Sequence, residues 1–173
     1  PPGIVPKRYR VKLAAGANSF TLRYKGNIRH ALQQQGEEYA RSFQQTQGII
    51  SPQGVFLAGA SFWYPHVATD LMTFDIDVQL PAGWKSMSQG ERMNQVAADT
   101  TVSEHWRCTT PQEEVYLIAG PYIEYKKTEK NVKAMVLLRR PDPALAQKYL
   151  DTTHQYIELY DTLIGPYPFK KFA

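Results

Sequence analysis

One cysteine, Cys108, stands in 173 residues, which excludes an internal disulfide framework and any cysteine-rich zinc site. Beside Trp106 and Arg107 it reads as a small buried hydrophobe rather than a reactive thiol. Long apolar runs are missing too: none exceeds a few residues, against the roughly 20 that a membrane-spanning helix needs. Charged residues interrupt Pro1–Leu13 before the apolar stretch of a signal peptide can form. His30, His66, His105 and His154 are each isolated, so the chain has no His-Glu-x-x-His helix. A Gly-x-Ser-x-Gly elbow and a glycine-rich phosphate loop are also missing. On residue chemistry alone the chain is expected not to be an enzyme. The net charge of +4 is spread over small basic groups, such as Lys126/Lys127/Lys130/Lys133 and Lys170/Lys171. With no recognition motif or basic helix beside them, no nucleic-acid partner is expected.

What is present suits a globular chain. Its 43% hydrophobic and 21% charged residues lie near the usual averages, and a chain of this length can bury a core unaided. The dominant signal has period two. Tyr9, Val11 and Leu13 alternate with cations, and Phe20, Leu22 and Tyr24 alternate with Thr21 and Arg23, which predicts two strands joined by a turn over Ala14–Ser19. Residues 25–53, rich in glutamine, read as a long connection with room for a short strand or helical turn. Strands are expected at Gly54–Leu57, Phe74–Leu80, Trp84–Ser88 and 92–98, then at 103–109, 114–119, 121–127 and 132–139. Pro81-Ala82-Gly83 is read as a turn.

At Asp142-Pro143 the period changes to that of a helix. Asp142 suits the N-cap, Pro143 the first turn, and Gly165-Pro166 the stop. The expected fold is mainly β, an antiparallel β-sandwich or saddle-like domain over 1–140, with one long C-terminal helix. That helix and the linker after it, 141–173, would begin a second layer or domain.

Few residues stand out as candidate sites. Phe62-Trp63-Tyr64-Pro65 offers flat apolar area with polar tips, so Trp63 and Tyr64 are the candidate binding pair; a core anchor at a sheet corner is the preferred alternative. Asp75 and Asp77 share a strand face and could mimic a catalytic dyad, but the polar face of an antiparallel strand is the ordinary explanation. His154 and Glu158 could share a helix face, read as solvated or tyrosine-bonded rather than metal-binding. His66 and Asp70 have the same spacing off a helix and are weaker. Glu104 and His105 point to opposite faces of a strand.

Several motifs, in order, are similar to a known family. They are Tyr24-Lys25-Gly26, Gly54-Val55-Phe56-Leu57 with Trp63-Tyr64-Pro65, and the strand Phe74–Pro81. Trp106 with Pro111, Tyr116–Tyr122 and Ile164-Gly165-Pro166-Tyr167-Pro168-Phe169 follow. Together they resemble the N-terminal domain of zinc aminopeptidases of the alanyl aminopeptidase type (gluzincins, peptidase family M-one), over about residues 5–173. The resemblance implies a fragment that is a non-catalytic scaffold and cleft wall for a catalytic domain of the same polypeptide. It implies peptide as the whole protein's substrate, and zinc in the catalytic segments beyond Ala173 rather than in this chain. Tyr156, Tyr160, Tyr167 and Phe169 would dock on that catalytic domain. Where the family shows Ala-Arg-x-x-Phe-Pro-Cys-x-Asp-Glu-Pro, this chain has Ala60–Asp70 with a different pattern, so the residue that holds the substrate's amino end is not carried over. An independent β-sandwich module binding peptide or carbohydrate through Trp63 and Tyr64 is the alternative.

Overall fold

The computed structural model describes residues 7–34, 44–66 and 71–173. In chain order the strands are β1 (Gln33–Gln34), β2 (Gln44–Gln45), β3 (Gly48–Ser51), β4 (Gly54–Leu57), β5 (Met72–Pro81) and β6 (Lys85–Met87). β7 (Glu91–Ala97), β8 (Thr101–Gln112), β9 (Leu117–Gly120), β10 (Ile123–Glu129) and β11 (Val132–Leu138) follow, then helix α1 (Pro143–Leu163) and β12 (Lys171–Phe172). One sheet runs β3-β4-β9-β6, a second β5-β8-β7 and a third β10-β11-β12, with β1-β2 as a small ribbon. All pairings are antiparallel except β11 with β12. Over the described residues the protein is mainly β and sandwich-like, with no closed barrel and a single C-terminal helix.

Alternation builds the core. On β8, Val102, Glu104, Trp106 and Cys108 are buried while Ser103, Arg107 and Thr109 face out. On β5 the buried or half-buried Phe74, Ile76, Val78 and Leu80 oppose Asp75, Asp77 and Gln79. Trp106, with no exposed surface, centres a cluster with Leu57, Val78, Leu80, Leu117 and Met135, drawn from all three larger sheets. The predicted turn at Pro81-Ala82-Gly83 forms: the Trp84 amide donates to Pro81 O at 3.1 Å, with Gly83 at φ 79°. Gly90 (φ 75°) joins β6 to β7, and a Cβ there would lie 2.0 Å from Arg107 O, so only glycine fits.

Two expected strands are not found. The turn after Leu13 exists, with the Ala17 amide bonded to Ala14 O at 3.0 Å, but residues 9–13 and 20–24 form no ladder. Tyr9, Val11, Phe20, Leu22 and Tyr24 are all more than half exposed. Alternation specifies a strand only where a neighbour covers its apolar face, and among the described residues these side chains have none. Expected strand 114–119 also starts later, at Leu117. The amides of Val115 and Tyr116 bond to Tyr64 Oη (3.1 Å) and Gln89 Oε1 (2.9 Å) instead of a neighbouring strand. The connection 25–53 holds more pairing than expected, including β3 and a bridge from Arg29 to Ile49.

The helix matches its expected bounds within two residues. Asp142 Oδ1 accepts the Leu145 amide at 2.9 Å, and Gly165 takes positive φ after the last turn. Ala146, Leu150, His154 and Ile157 form its buried stripe, packed on the β10–β11 hairpin. Lys127 to Asp151 and Lys130 to Glu158, each at 2.7 Å, tie the hairpin to the helix surface.

Trp106→Ala should lower unfolding free energy by about 3–5 kcal/mol, since the cavity lies where three sheets meet. Urea titration checks this; a loss below about 1 kcal/mol would show that the sheets do not depend on the indole.

Candidate functional site

The aromatic corner follows β4. A short 3-10 turn, Gly59–Ser61, ends with Phe62 in the left-handed region (φ 51°, ψ 38°), leaving Phe62 exposed and turning Trp63 inward. Trp63 packs against the core, and its Nε1 donates to Val115 O at 3.1 Å. Tyr64 Oη accepts from the Val115 amide, also at 3.1 Å. The two rings meet edge to face, 5.2 Å apart. Tyr24 Oη closes the corner with a 2.9 Å bond to Trp63 O. The two polar tips thus hold both backbone groups of one residue, Val115, and the geometry is that of a staple between the corner and the start of β9. His66 is exposed beside Tyr64; Asp70 lies outside the described residues.

The candidate docking residues occupy a second region. Tyr156 and Tyr160 are each about half exposed, with their rings stacked 6.4 Å apart on the helix. Tyr149, Leu159, Leu163 and Ile164 are exposed as well, so α1 carries apolar side chains outside its buried stripe. Tyr167 is half-buried: its amide donates to Asp161 Oδ1 at 2.8 Å and its ring meets Phe169 and Phe172. Phe169 is exposed. Beside them lies an apolar groove of about 460 Å³, lined by Met87, Ile118, Tyr122, Tyr149 and Phe172 among others.

His154 is not the solvated or tyrosine-bonded residue expected. It is buried under the hairpin, with Nε2 3.4 Å from Lys127 O and Nδ1 3.9 Å from Glu129, while Glu158 turns to Lys130. Spacing placed both on the helix, but the hairpin covers only one of them. Asp75 and Asp77 lie outward and pair across the ladder with Arg107 (2.7 Å) and His105 (2.7 Å). The hydrogen bond from Arg107 holds the Asp75 carboxyl below its ordinary range, with His105 adding to it. Cys108 is buried, which pushes its thiol up.

A third cluster carries no motif. Glu104, on the inward face of β8, is buried and accepts from the Ser86 amide (3.0 Å), Ser86 Oγ, Arg92 Nη1 (2.9 Å) and Gln95 Nε2 (2.7 Å). Arg92 bridges onward to Glu124, and Trp106 Nε1 donates to Ser86 Oγ at 2.8 Å. Lys171 lies over the Trp106 ring, 4.4 Å from its centroid, and donates to Ser88 O. Burial, and then the nearby Arg92, bring its pKa from about 10.5 down to about 8; Lys133 pushes the same way and Cys108 opposes. The only hint in the sequence is that Glu104 alternates with Val102, Trp106 and Cys108, a carboxylate on an otherwise apolar face.

Among the described residues no three His, Cys, Asp or Glu side chains converge to hold a metal ion. Among the described residues no helix is long and apolar enough to cross a membrane. No family model matches the chain, and no curated protein matches it.

Tyr64→Phe removes the partner of the Val115 amide and should cost about 1 kcal/mol in urea unfolding; no loss would mean that the staple does not hold β9. Lys171 supplies a pH test. Between about pH 8 and 10.5 the unfolded chain keeps a proton that folded Lys171 has released, so this residue makes stability rise with pH across that window. The raised Cys108 thiol acts in the opposite direction, so the difference between wild type and Lys171→Met is the quantity to follow. The variant should be more stable below pH 8, by roughly 1–3 kcal/mol, and lose that advantage as pH approaches 10.5. A constant difference would show that Lys171 titrates normally.

Proposed function

We propose that the chain is a non-catalytic β-domain of a zinc metallopeptidase-like protein, serving as scaffold and cleft wall for a catalytic domain of the same polypeptide. The observation that carries this reading is the helix α1, apolar on its buried stripe and again on its exposed side. A helix with one neighbour needs one apolar stripe; a second stripe suits a helix between two layers. Tyr149, Tyr156 and Tyr160 fit an interface, since each offers a large apolar ring with a polar tip. The ordered motifs from Tyr24 to Phe169 support the same reading. Peptide would be the substrate of the whole protein, and zinc would belong to segments following this helix. The described residues offer no ligand set for zinc, so no chemical step is assigned to them. Against a peptide- or carbohydrate-binding module stands the engagement of Trp63 and Tyr64 with Val115.

The first test is to read the coding sequence past Ala173. A predicted helix bearing His-Glu-x-x-His, with a glutamate downstream, is the expected result; a stop codon, or such a helix with its ligands replaced, would sink the peptidase reading. A second test addresses docking. Tyr156→Ser with Tyr160→Ser should leave the stability of residues 1–173 within about 0.5 kcal/mol. In the longer protein the same pair should cost more than about 1 kcal/mol, because there the tyrosines would be covered.

A further inference from the structure

A polar groove of about 340 Å³ lies between β7, the β10–β11 hairpin and the Lys170-Lys171 segment. Five cations line it: Arg92, Lys126, Lys133, Lys170 and Lys171. Glu91 and Arg92 from β7, Lys126 from β10 and Lys133 from β11 line the groove with Lys171; Arg92 carries Glu104 of β8 and Glu124 of β10 behind it, and Cys108 acts on Lys171 from β8. The carboxylates here have partners already. Arg92 takes both Glu104 and Glu124, and Glu91 lies 3.8 Å from Lys170. Five cations against three carboxylates leave an excess of two positive charges. Among the described residues Lys133 and Lys171 have no carboxylate within ion-pairing distance. Thr128, Asn94 and Asn131 add neutral hydrogen-bonding groups to the lining.

We propose that this groove binds a small dianionic oxyanion group of the phosphate-monoester or sulfate class, seated between Lys171 at its floor and Lys133 at its rim. The proposal is independent of the metallopeptidase reading. Like charges gathered without counter-charge are unfavourable, and a dianion would neutralise the excess while accepting hydrogen bonds from both ammonium groups. The volume suits one such group on a small molecule rather than a protein surface. Binding would also favour the charged form of Lys171, whose free pKa is about 8, so the complex would take up a proton in alkaline buffer.

Calorimetric titration of residues 1–173 with sodium sulfate at low, matched ionic strength tests this, since sulfate keeps its charge throughout pH 6.5–9.5. Wild type should bind saturably, and Lys171→Met and Lys133→Met should each weaken binding by about tenfold or more. Lys12→Met, which removes the same charge outside the groove, should stay within about twofold. Wild-type affinity should fall as pH rises from 7.5 to 9.5, and the affinity of Lys171→Met should not. Non-saturable binding, equal loss in all three variants, or a wild-type affinity indifferent to pH would overturn the proposal. If Lys171→Met does not fold by circular dichroism, Lys133→Met and the wild-type pH series decide. At pH 7.5, tighter binding of phenyl phosphate than of inorganic phosphate would support an organic monoester as occupant, and equal binding would support the free ion.

Discussion

A carboxylate buried beside an indole must be satisfied from every side, and Glu104 is the constraint on which the rest of the fold depends. Its two oxygens take donors from Ser86 on β6 and from Arg92 and Gln95 on β7, while its backbone belongs to β8. A slip of one residue in β8 would turn Glu104 to solvent and bring His105 into the core. Removing a partner would leave a buried charge uncompensated, which costs far more than a surface pair. Through Arg92 the same network reaches Glu124 on β10, so one side chain links the second sheet to the third.

Much of this fold was legible in the sequence, and the reason is local. β5 and the turn at Gly83 announce themselves because period-two burial and positive φ leave marks on residue type. Helix α1 is equally plain: Asp142, Pro143 and Gly165 bracket it with side chains whose roles depend only on nearby backbone. Strand ends were harder to place. β9 begins at Leu117 rather than earlier because Tyr64 and Gln89, remote in sequence, take amides that a strand would have used. The segment from Tyr9 to Tyr24 fails for the complementary reason, since its pattern is right for a strand and its neighbour is missing among the described residues.

The candidate sites divide along the same line. Trp63 and Tyr64 were visible as aromatics at a corner, but only tertiary geometry shows both polar tips turned to Val115. His154 and Glu158 have helical spacing, yet the hairpin buries one and leaves the other to Lys130. Lys171 could not have been singled out at all. Nothing near it in sequence suggests an indole beneath it or Ser88 O beside it, because these partners lie 65 and 83 positions away. Desolvation of an amine is a property of what covers it, and adjacent residue types do not encode that.

The short parallel strand β12 has a consequence for how the third sheet can grow. β11 has a strand on either side, whereas β12 is bonded on one side only among the described residues. Its outer edge is already partly taken, because Tyr167 Oη donates to Lys171 O at 3.3 Å and so caps a main-chain acceptor of the kind that sheet margins leave open. A strand joining there by augmentation would first have to displace that hydrogen bond, so Tyr167 guards this margin of the mixed sheet. Growth from β10 would meet a different margin, where charged Lys126 and Glu124 alternate along the strand and make pairing more selective.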